Sequence, residues 1–270
     1  MKAISFNVNS IRTRLHQLQT VIDKHQPDFI GLQETKVNDE EFPEQAIRDM
    51  GYEVAFYGQK THYGVALLSR VPFKEIIKGF PGDLDESQRR FIGGVFDSPF
   101  GGEITVLNAY FPQGENRDHP VKFPNKRKFY ADLMEYLNAH CKSSEQVLLM
   151  GDMNVSHTDG DIGIGEQNRK RWLREGKCSF LPEEREWLDQ VLEWGLKDTF
   201  RHHQPDEDST FSWFDYRSKG FDRDPKRGLR IDLILATDAL LKRCEDAGVD
   251  YEVRAMERPS DHCPIWASFS

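Results

Sequence analysis

The feature that most constrains the fold is an apolar run that ends abruptly in polar residues, Gln146 to Ser156 (QVLLMGDMNVS). Residues 147–150 are apolar at every position, which indicates a strand buried on both faces. Asp152 and Asn154 follow, so a carboxylate and an amide stand where a central strand ends. In open α/β sheets, ligands bind and catalytic residues lie at that edge. Gly, Asp and Asn are also ordinary turn residues, so this run alone leaves both interpretations open.

The rest of the chain repeats this alternation of apolar segments and polar strand ends. Predicted strands span residues 2–8, 28–32, 52–57, 64–69, 73–78, 90–97, 104–108, 146–150, 229–236, 251–254 and 263–269. Predicted helices span residues 14–25, 40–50, 123–141 and 182–194. No repeat or linker interrupts the pattern, so residues 1–270 are predicted to form a single domain. Many strands in meander-like runs with few helices predict an α/β fold of two sheets packed face to face, with helices outside.

The composition excludes several classes of protein. With 38% hydrophobic and 30% charged residues, the chain is predicted to be globular and not disordered. No apolar stretch approaches the ~20 residues of a membrane span, and the N-terminus lacks the apolar core of a secretory signal. The four cysteines show no paired spacing, which favours reduced thiols in the cytoplasm over a disulfide framework or a zinc site.

The net charge of −9 does not indicate a nucleic-acid binder, but the basic residues are clustered. Three groups stand out: Arg169, Lys170, Arg171, Arg174 and Lys177; Lys122, Lys126, Arg127 and Lys128; and Arg217, Lys219, Arg223, Lys226, Arg227 and Arg230. A charge run is usually a solvated face. The clusters become candidates for phosphate contacts only if they converge in space.

Polar residues at strand ends form the candidate site. They are Asn7, Glu34, Tyr110, Asp152, Asn154, Asp232, Asp261 and His262. Any one of them taken singly is more often a satisfied structural residue. Together they offer the hard oxygen ligands that Mg²⁺ or Mn²⁺ prefers, with one imidazole for phosphate stabilisation or proton transfer. The set therefore favours metal-assisted hydrolysis of a phosphoester.

These residues lie in motifs that resemble a known family. SFNVNSIR, IGLQETK, GDMN, RIDLIL and SDHCPIW are similar to the ordered motifs of the exonuclease–endonuclease–phosphatase superfamily. The longer segments HYGVALLSR, AYFPQGENRDHP, DIGIGEQNRKRWLREGKCSFLPEEREW and FSWFDYRSKGFD resemble the bacterial exonuclease III family more narrowly. The resemblance implies a four-layered α/β sandwich and a divalent-metal DNA repair nuclease. Such an enzyme cuts duplex DNA 5′ to abasic sites, degrades it from 3′ ends and clears blocked 3′ termini.

The resemblance also implies roles for the residues of the site. The metal-binding set is Asn7, Glu34, Asp152, Asn154, Asp261 and His262, and the catalytic set is Tyr110, Asp152, Asn154, Asp232 and His262. Asp152 and Asn154 match the positions that activate or orient the attacking water. Asp232 and His262 match the carboxylate–imidazole pair that stabilises phosphate charge. The sequence leaves open which group is the general base and whether one or two metal ions act.

The expected DNA contacts rest partly on the resemblance and partly on the basic clusters. They are Arg90, Gln113, Lys122, Arg169, Lys170, Arg171, Trp213, Phe214 and Arg217. Trp213 and Phe214 match the aromatic pair that probes the abasic gap in the family. Neighbouring aromatics on a strand point to opposite faces, so Trp213 and Phe214 cannot both be buried on a one-sided sheet and are expected to act on DNA. Phe211 is expected in the core.

Two other classes of function stay open at this stage. A small-molecule or lipid phosphoesterase on the same fold would keep the metal and histidine positions but has no use for three basic loops. A non-catalytic DNA-binding module has no need of an intact catalytic set. No strong apolar surface stripe is visible, so a monomer is expected.

Overall fold

The computed structural model describes all 270 residues. Twelve strands run in chain order: β1 (Lys2–Asn7), β2 (Phe29–Gln33), β3 (Glu53–Tyr57), β4 (Val65–Ser69), β5 (Glu75–Lys78), β6 (Phe91–Asp97), β7 (Glu103–Tyr110), β8 (Gln146–Asp152), β9 (Leu196–Asp198), β10 (Asp232–Thr237), β11 (Cys244–Val249) and β12 (Ile265–Phe269). The helices are α1 (Leu15–His25), α2 (Glu44–Asp49), α3 (Lys122–His140), α4 (Glu166–Arg174), α5 (Pro182–Glu193), α6 (Thr199–His203), α7 (Asp238–Leu241) and α8 (Tyr251–Arg254). None of these helices is long and apolar enough to cross a membrane.

The strands form two six-stranded sheets. The first has the order β11-β12-β1-β2-β4-β3 and the second β5-β6-β7-β8-β10-β9. Each sheet contains one parallel pair, β1 with β2 and β7 with β8, and all other neighbours are antiparallel. In both sheets the parallel pair is central, so polar residues that follow it are gathered at one edge.

Three apolar clusters define the layers. One fills the space between the sheets and includes Phe29 of the first sheet and Phe96 of the second. A second packs α3 and α5 onto the outer face of the second sheet, and a third packs α1 onto the outer face of the first. The order is therefore helices, sheet, sheet, helices, and the predicted four-layered sandwich of mostly antiparallel sheets is confirmed.

A buried polar side chain joins the two sheets near the candidate site. Asn108 of β7 donates from Nδ2 to the carbonyls of Leu32 and Ala66 in the opposite sheet, each at 2.9 Å. Its Oδ1 accepts from Gln33 Nε2 at 2.6 Å. A buried amide is costly unless it is bonded, so these three bonds are satisfied only when the sheets meet in this register.

The structure corrects some of the predicted elements. Residues 251–254 form α8 and not a strand, because Asp250 caps a helical turn by accepting hydrogen bonds from the backbone N–H groups of Glu252 and Val253. The sequence reading also missed α4, which buries none of its residues, and the edge strand β11. Residues 211–216 form no strand, and within them only Trp213 makes isolated bridges, to Leu229 and His262.

Candidate active site

The candidate site lies at the edge where β1, β2, β7, β8 and β10 bring their polar ends together. Asp152 ends β8, and the preceding Gly151 allows the chain to approach β7 closely. A Cβ atom at Gly151 would stand 1.9 Å from the carbonyl oxygen of Ala109, so no larger residue fits there. Gly151 therefore permits the close packing of β8 against β7, and this packing also positions the Asp152 carboxylate.

Asn7 joins two carboxylates of the site. Its Nδ2 donates to Glu34 Oε1 at 2.9 Å and to Asp152 Oδ2 at 3.0 Å, while its Oδ1 accepts from the backbone N–H of Asn9. The amide therefore presents its donor side to the carboxylates. Asn7, predicted as a metal ligand, is placed to orient the carboxylates of Glu34 and Asp152.

His262 lies between two aspartates that come from neighbouring strands. Its Nδ1 lies 2.9 Å from Asp232 Oδ2, and its Nε2 lies 3.7 Å from Asp152 Oδ2. Burial lowers the pKa of His262, but the charges of Asp232 and Asp152 outweigh burial and raise that pKa to about 10. The two aspartates therefore favour the protonated ring in the metal-free site, with Nδ1 facing Asp232 and Nε2 on the side of Asp152.

The carboxylates crowd one another. Burial, and then the neighbouring charges of Asp232 and Glu34, raise the pKa of Asp152 to about 7 despite the opposing charge of His262. Burial also acts on Glu34, but Lys36, whose Nζ lies 2.8 Å from Glu34 Oε2, lowers the pKa of that carboxyl. The sequence analysis did not single out Lys36, because a lysine two residues after a carboxylate carries no distinctive pattern.

The donor set fits a divalent cation. Ligand atoms of Glu34, Asp152 and His262 all lie within 4.8 Å of one another, at the edge of a largely buried site. Carboxylate oxygens are the donors that Mg²⁺ and Mn²⁺ prefer, and a cation compensates the repulsion that raises the pKa of Asp152.

Two residues of the site adopt left-handed backbone conformations, with φ of 53° at Glu34 and at Asn154. This conformation is uncommon for residues with a Cβ atom and costs on the order of 1 kcal/mol or more. Asn154 is held in it by a hydrogen bond from its N–H to Asp152 Oδ1 and by one from its Nδ2 to the carbonyl of Phe111. Its Oδ1 accepts no hydrogen bond from the chain and is available to a water molecule or a metal ion.

Tyr110, at the end of β7, is stacked with Arg90. The Arg90 guanidinium lies 4.1 Å from the ring centre of Tyr63 and 4.4 Å from that of Tyr110, and it donates to the Tyr110 carbonyl. Burial, followed by the charge of Glu34, raises the pKa of Tyr110 well above its ordinary value, so its hydroxyl stays protonated. Tyr63 was missed by the sequence analysis, since nothing marks it locally.

Asp261 is not brought into the carboxylate group. Its Oδ1 accepts from Asn9 Nδ2 at 2.8 Å and its Oδ2 from Trp213 Nε1 at 3.1 Å. Both oxygens are thus already bonded, and the residue links Trp213 to the edge of the site. The predicted metal role of Asp261 gains no support from this arrangement.

Trp213 and Phe214 are not both buried, as predicted, but Phe214 does not form an exposed pair with Trp213. Trp213 is partly exposed, but Phe214 is completely buried and packs edge-on against Phe221 and Tyr251. The reason is that this segment is a loop covered by Phe221 and Tyr251 and not a one-sided strand. Phe211 is buried, as predicted. In this conformation Phe214 supports the loop from beneath and is not placed to touch DNA.

The basic clusters are only partly surface features. Lys126 and Arg230 are buried: Lys126 pairs with Glu184 at 2.5 Å, and Arg230 lies between Asp161 and Asp198. The first and third clusters do converge. Both line one cleft of about 250 Å³, whose walls are Ile164, Asn168, Arg171, Trp172, Trp213, Asp215, Ser218, Arg223 and Arg227. The second cluster contributes nothing to this cleft.

The remaining predicted DNA contacts are dispersed over the surface. Lys122, at the start of α3, pairs with Glu115, and Arg169 and Lys170 pair with Glu166 on α4. Gln113 accepts a hydrogen bond from the backbone of Glu115, and Arg217 is exposed. Their roles in binding DNA stay predictions.

The fold and site together define a hydrolase-type centre, able to hold a divalent cation, in a four-layered α/β sandwich. The sequence model of the endonuclease/exonuclease/phosphatase family matches residues 4–262. The chain belongs to that family, as predicted.

Three similar proteins show which members of the family this chain resembles. Exodeoxyribonuclease III of Haemophilus influenzae is 56% identical over 269 residues, covering 100% of both chains. The structure of a 3′ phosphatase from Neisseria bound to a product DNA hairpin matches with a TM-score of 0.89 and 35% identity, covering 100% of this chain and 99% of the other. An AP endonuclease from Archaeoglobus fulgidus matches with a TM-score of 0.90 and 33% identity, with the same coverage. The predicted resemblance to exonuclease III is confirmed.

Proposed function

We propose that this chain is a DNA repair nuclease that hydrolyses phosphodiesters in duplex DNA with Mg²⁺, or with Mn²⁺ as a substitute. The proposed activities are 3′-to-5′ exonuclease action, incision 5′ to abasic sites and removal of blocking groups from 3′ ends. The observation that carries the proposal is the buried Asp232–His262 pair set against Asp152 at the shared edge of both sheets. The activities named for the Haemophilus, Neisseria and Archaeoglobus relatives support it.

Glu34 and Asp152 are the residues proposed to hold the cation, with Asn154 Oδ1 within the same site. Asn7 keeps the two carboxylates in place through its bifurcated amide. When bound, the cation would withdraw charge from the phosphate and so make phosphorus more open to attack. His262 is proposed to bind phosphate instead of metal, because its charge favours donation from Nε2 over ligation.

Asp152 is the proposed general base. In the metal-free site, burial and the neighbouring carboxylates raise the pKa of Asp152 to about 7, so this carboxylate is a stronger base than an ordinary aspartate. Asn154 is bonded to Asp152 through its N–H, so its free Oδ1 can orient the same water molecule. On attack, the phosphorus gains the water oxygen, and the bond to the 3′ oxygen of the preceding nucleotide breaks.

His262 and Tyr110 are proposed to stabilise the charge that develops on the phosphate. His262 is held in orientation by Asp232, and Tyr110 remains a neutral O–H donor. Fixed donors aimed at developing charge in a water-poor site contribute most when they need no reorganisation. The stacking of Arg90 on Tyr110 supplies that rigidity on one side.

The cleft between α4 and the Trp213 loop is proposed to follow the DNA backbone. Arg171, Arg223 and Arg227 supply positive charge there, and Trp213 supplies an aromatic face. Because the site draws residues from both sheets, we propose that residues 1–270 act as one catalytic domain and as a monomer. The cytoplasm is the proposed compartment, since all four cysteines are free and the substrate is chromosomal.

Cleavage of a labelled duplex with one central abasic site tests the proposal. We expect a single cut 5′ to the lesion with Mg²⁺ and none with EDTA. Asp152→Asn and His262→Asn are each expected to lower the rate by about 10²-fold or more, since each removes a group that acts in the transition state. The surface substitution Lys142→Gln serves as the control, because Lys142 pairs only with Glu145 on an exposed loop.

Simple phosphomonoesters and lipid phosphoesters form the second arm of this experiment. Folded wild-type protein that hydrolyses these and leaves abasic duplex intact would contradict the DNA assignment and favour a small-molecule phosphoesterase. Protein that binds the duplex but cleaves nothing with any metal would contradict the nuclease proposal and favour a non-catalytic DNA-binding module.

A further inference from the structure

Lys126 is completely buried and forms an ion pair with Glu184. Its Nζ lies 2.5 Å from Glu184 Oε1, and both side chains have no exposed surface. Removing two charges from water is costly, and such a pair often stabilises a fold no better than apolar residues of the same size. Stability alone therefore gives no reason for an ammonium at this position.

The other hydrogen bonds of the ammonium lead to the active site. Lys126 Nζ donates to the carbonyl of Asn154 at 2.8 Å and to the carbonyl of Gln113 at 3.3 Å. With Glu184, these acceptors use all three of its protons. Asn154 follows the end of β8 and Gln113 follows the end of β7, so one side chain joins the segments that continue from Asp152 and Tyr110.

Glu184 is itself fixed in place. Its Oε2 accepts hydrogen bonds from the backbone N–H groups of Ser179 and Leu181, both at 2.8 Å, at the start of α5. The carbonyl of Ser179 in turn accepts from the N–H of Ser156, two residues beyond Asn154. The anion is therefore attached to the same loop as the carbonyl that Lys126 holds.

Asn154 depends on contacts that hold its backbone, because that backbone is left-handed with φ of 53°. Without a donor at its carbonyl, the peptide loses one of the contacts that oppose relaxation toward a more favourable conformation. Relaxation would withdraw its N–H from Asp152 Oδ1 and displace its Oδ1.

We propose that Lys126 is a positioning residue for the hydrolytic site: paired with Glu184, it holds the carbonyls of Asn154 and Gln113 and thereby fixes the strand ends that carry Asp152 and Tyr110. Lys126 touches neither substrate nor metal in this proposal. It acts through Asn154, and its catalytic consequence rests on the proposed nuclease function.

The decisive variant is the double substitution Lys126→Met with Glu184→Gln. It removes both charges together, so no unpaired charge is left in the interior, and glutamine retains an oxygen for the N–H groups of Ser179 and Leu181. The single variant Lys126→Met is less informative, because it leaves the Glu184 carboxylate unpaired and can fail to fold. The matched control is Asp250→Asn, which weakens another buried carboxylate, paired with Lys24 and hydrogen-bonded to His25 in the helical layer of the first sheet.

On abasic duplex we expect the double variant to lose about 10- to 100-fold in kcat, the usual effect of losing a partner that orients a site residue. KM should change little, since no DNA contact is altered, and Asp250→Asn should retain wild-type kcat at a comparable loss of thermal stability. A folded double variant with wild-type kcat, or one that loses no more than the control, would overturn the proposal.

Amide hydrogen exchange measured by NMR provides a readout that does not depend on activity. The N–H of Asn154 should exchange faster in the double variant than in wild type, while amides in α1 stay unchanged. An unaltered exchange rate at the Asn154 amide would contradict the positioning role proposed for Lys126, even if activity fell. If wild type proved inactive on DNA, the proposed function would fail, and this exchange measurement would still decide the role of Lys126.

Discussion

Asp152 and Asp232 are direct partners in the antiparallel pairing of β8 with β10. Like charges placed opposite each other across a sheet repel, and His262 lies beside both as a cation. The pairing register thus brings the two aspartates and the imidazole together, although they are separated by 80 and 30 residues of chain.

Removal of the Asp232 charge is expected to neutralise His262. Asp232 provides the largest contribution that raises the pKa of His262, and burial opposes it. In Asp232→Asn the pKa should fall toward or below 6.5, so activity should decline as pH rises from 6 to 8, whereas wild type should not lose activity over that range through His262. NMR titration of the His262 ring, alongside the pH–rate profile, checks this. A ring that stays protonated at pH 8 in the variant would refute the assigned coupling.

Divalent metal should stabilise the protein more at high pH. The pKa of Asp152 without metal is raised to about 7. The folded state therefore holds a proton that the unfolded chain releases near pH 4, and the metal-free fold loses stability as pH rises from about 4 to 7. A cation competes with that proton, so the increase in Tm caused by Mg²⁺ should be larger at pH 8 than at pH 6. The difference between the two pH values should vanish in Asp152→Asn.

Loss of Arg230 should destabilise the fold strongly. The guanidinium is buried and bonds Asp161 at 2.6 Å and Asp198 at 2.7 Å. Arg230→Met leaves Asp198 without its buried cation and Asp161 with Arg201 alone, and losses of a buried ion-pair partner cost about 3–5 kcal/mol in the free energy of unfolding. Urea unfolding at pH 7 measures this value, and a cost under about 1 kcal/mol would show that water or Arg201 replaces the contact.

The same ion pairs predict an acid dependence. Burial raises the pKa of Asp161, but Arg230 and Arg201 outweigh it and lower that pKa to about 2. Because the folded pKa is depressed, the stabilisation is complete above about pH 4. It should be lost as pH falls toward 2, so wild type and Asp161→Asn should converge in stability there. Unfolding midpoints measured from pH 6 to pH 2.5 test the convergence.

Substitutions at Trp213 and Phe214 should separate effects on DNA binding from effects on the stability of the fold. Phe214→Ala removes a fully buried ring and is expected to cost about 3–5 kcal/mol of stability. Trp213→Ala should cost less and should mainly raise KM for abasic duplex, because its ring is partly exposed at the cleft. Denaturation and steady-state kinetics on both variants compare the two. Equal effects on KM would mean that Phe214 leaves its buried position when DNA binds.

The periodicity of apolar residues was enough to place most strands and the polar groups at their ends, since each strand end is a local event. Contacts between residues that are far apart in the chain could not be predicted from these local patterns. Lys126 and Arg230 were counted with surface clusters because their partners, Glu184 and Asp161, lie 58 and 69 residues away. Helix α4 was missed because none of its residues is fully buried and it contains only two apolar residues, Trp172 and Leu173. The burial of Phe214 depends on Phe221 and Tyr251, which no local pattern connects to it.

Asn108 joins the two sheets through hydrogen bonds, and each sheet supplies part of the candidate site. Asn7 and Glu34 follow strands of one sheet, whereas Tyr110, Asp152 and Asp232 belong to the other. A nascent or damaged chain with only one sheet formed carries an incomplete catalytic set. The proposed DNA-cutting activity therefore depends on the docking of the two sheets, because neither sheet alone carries the whole set of candidate residues.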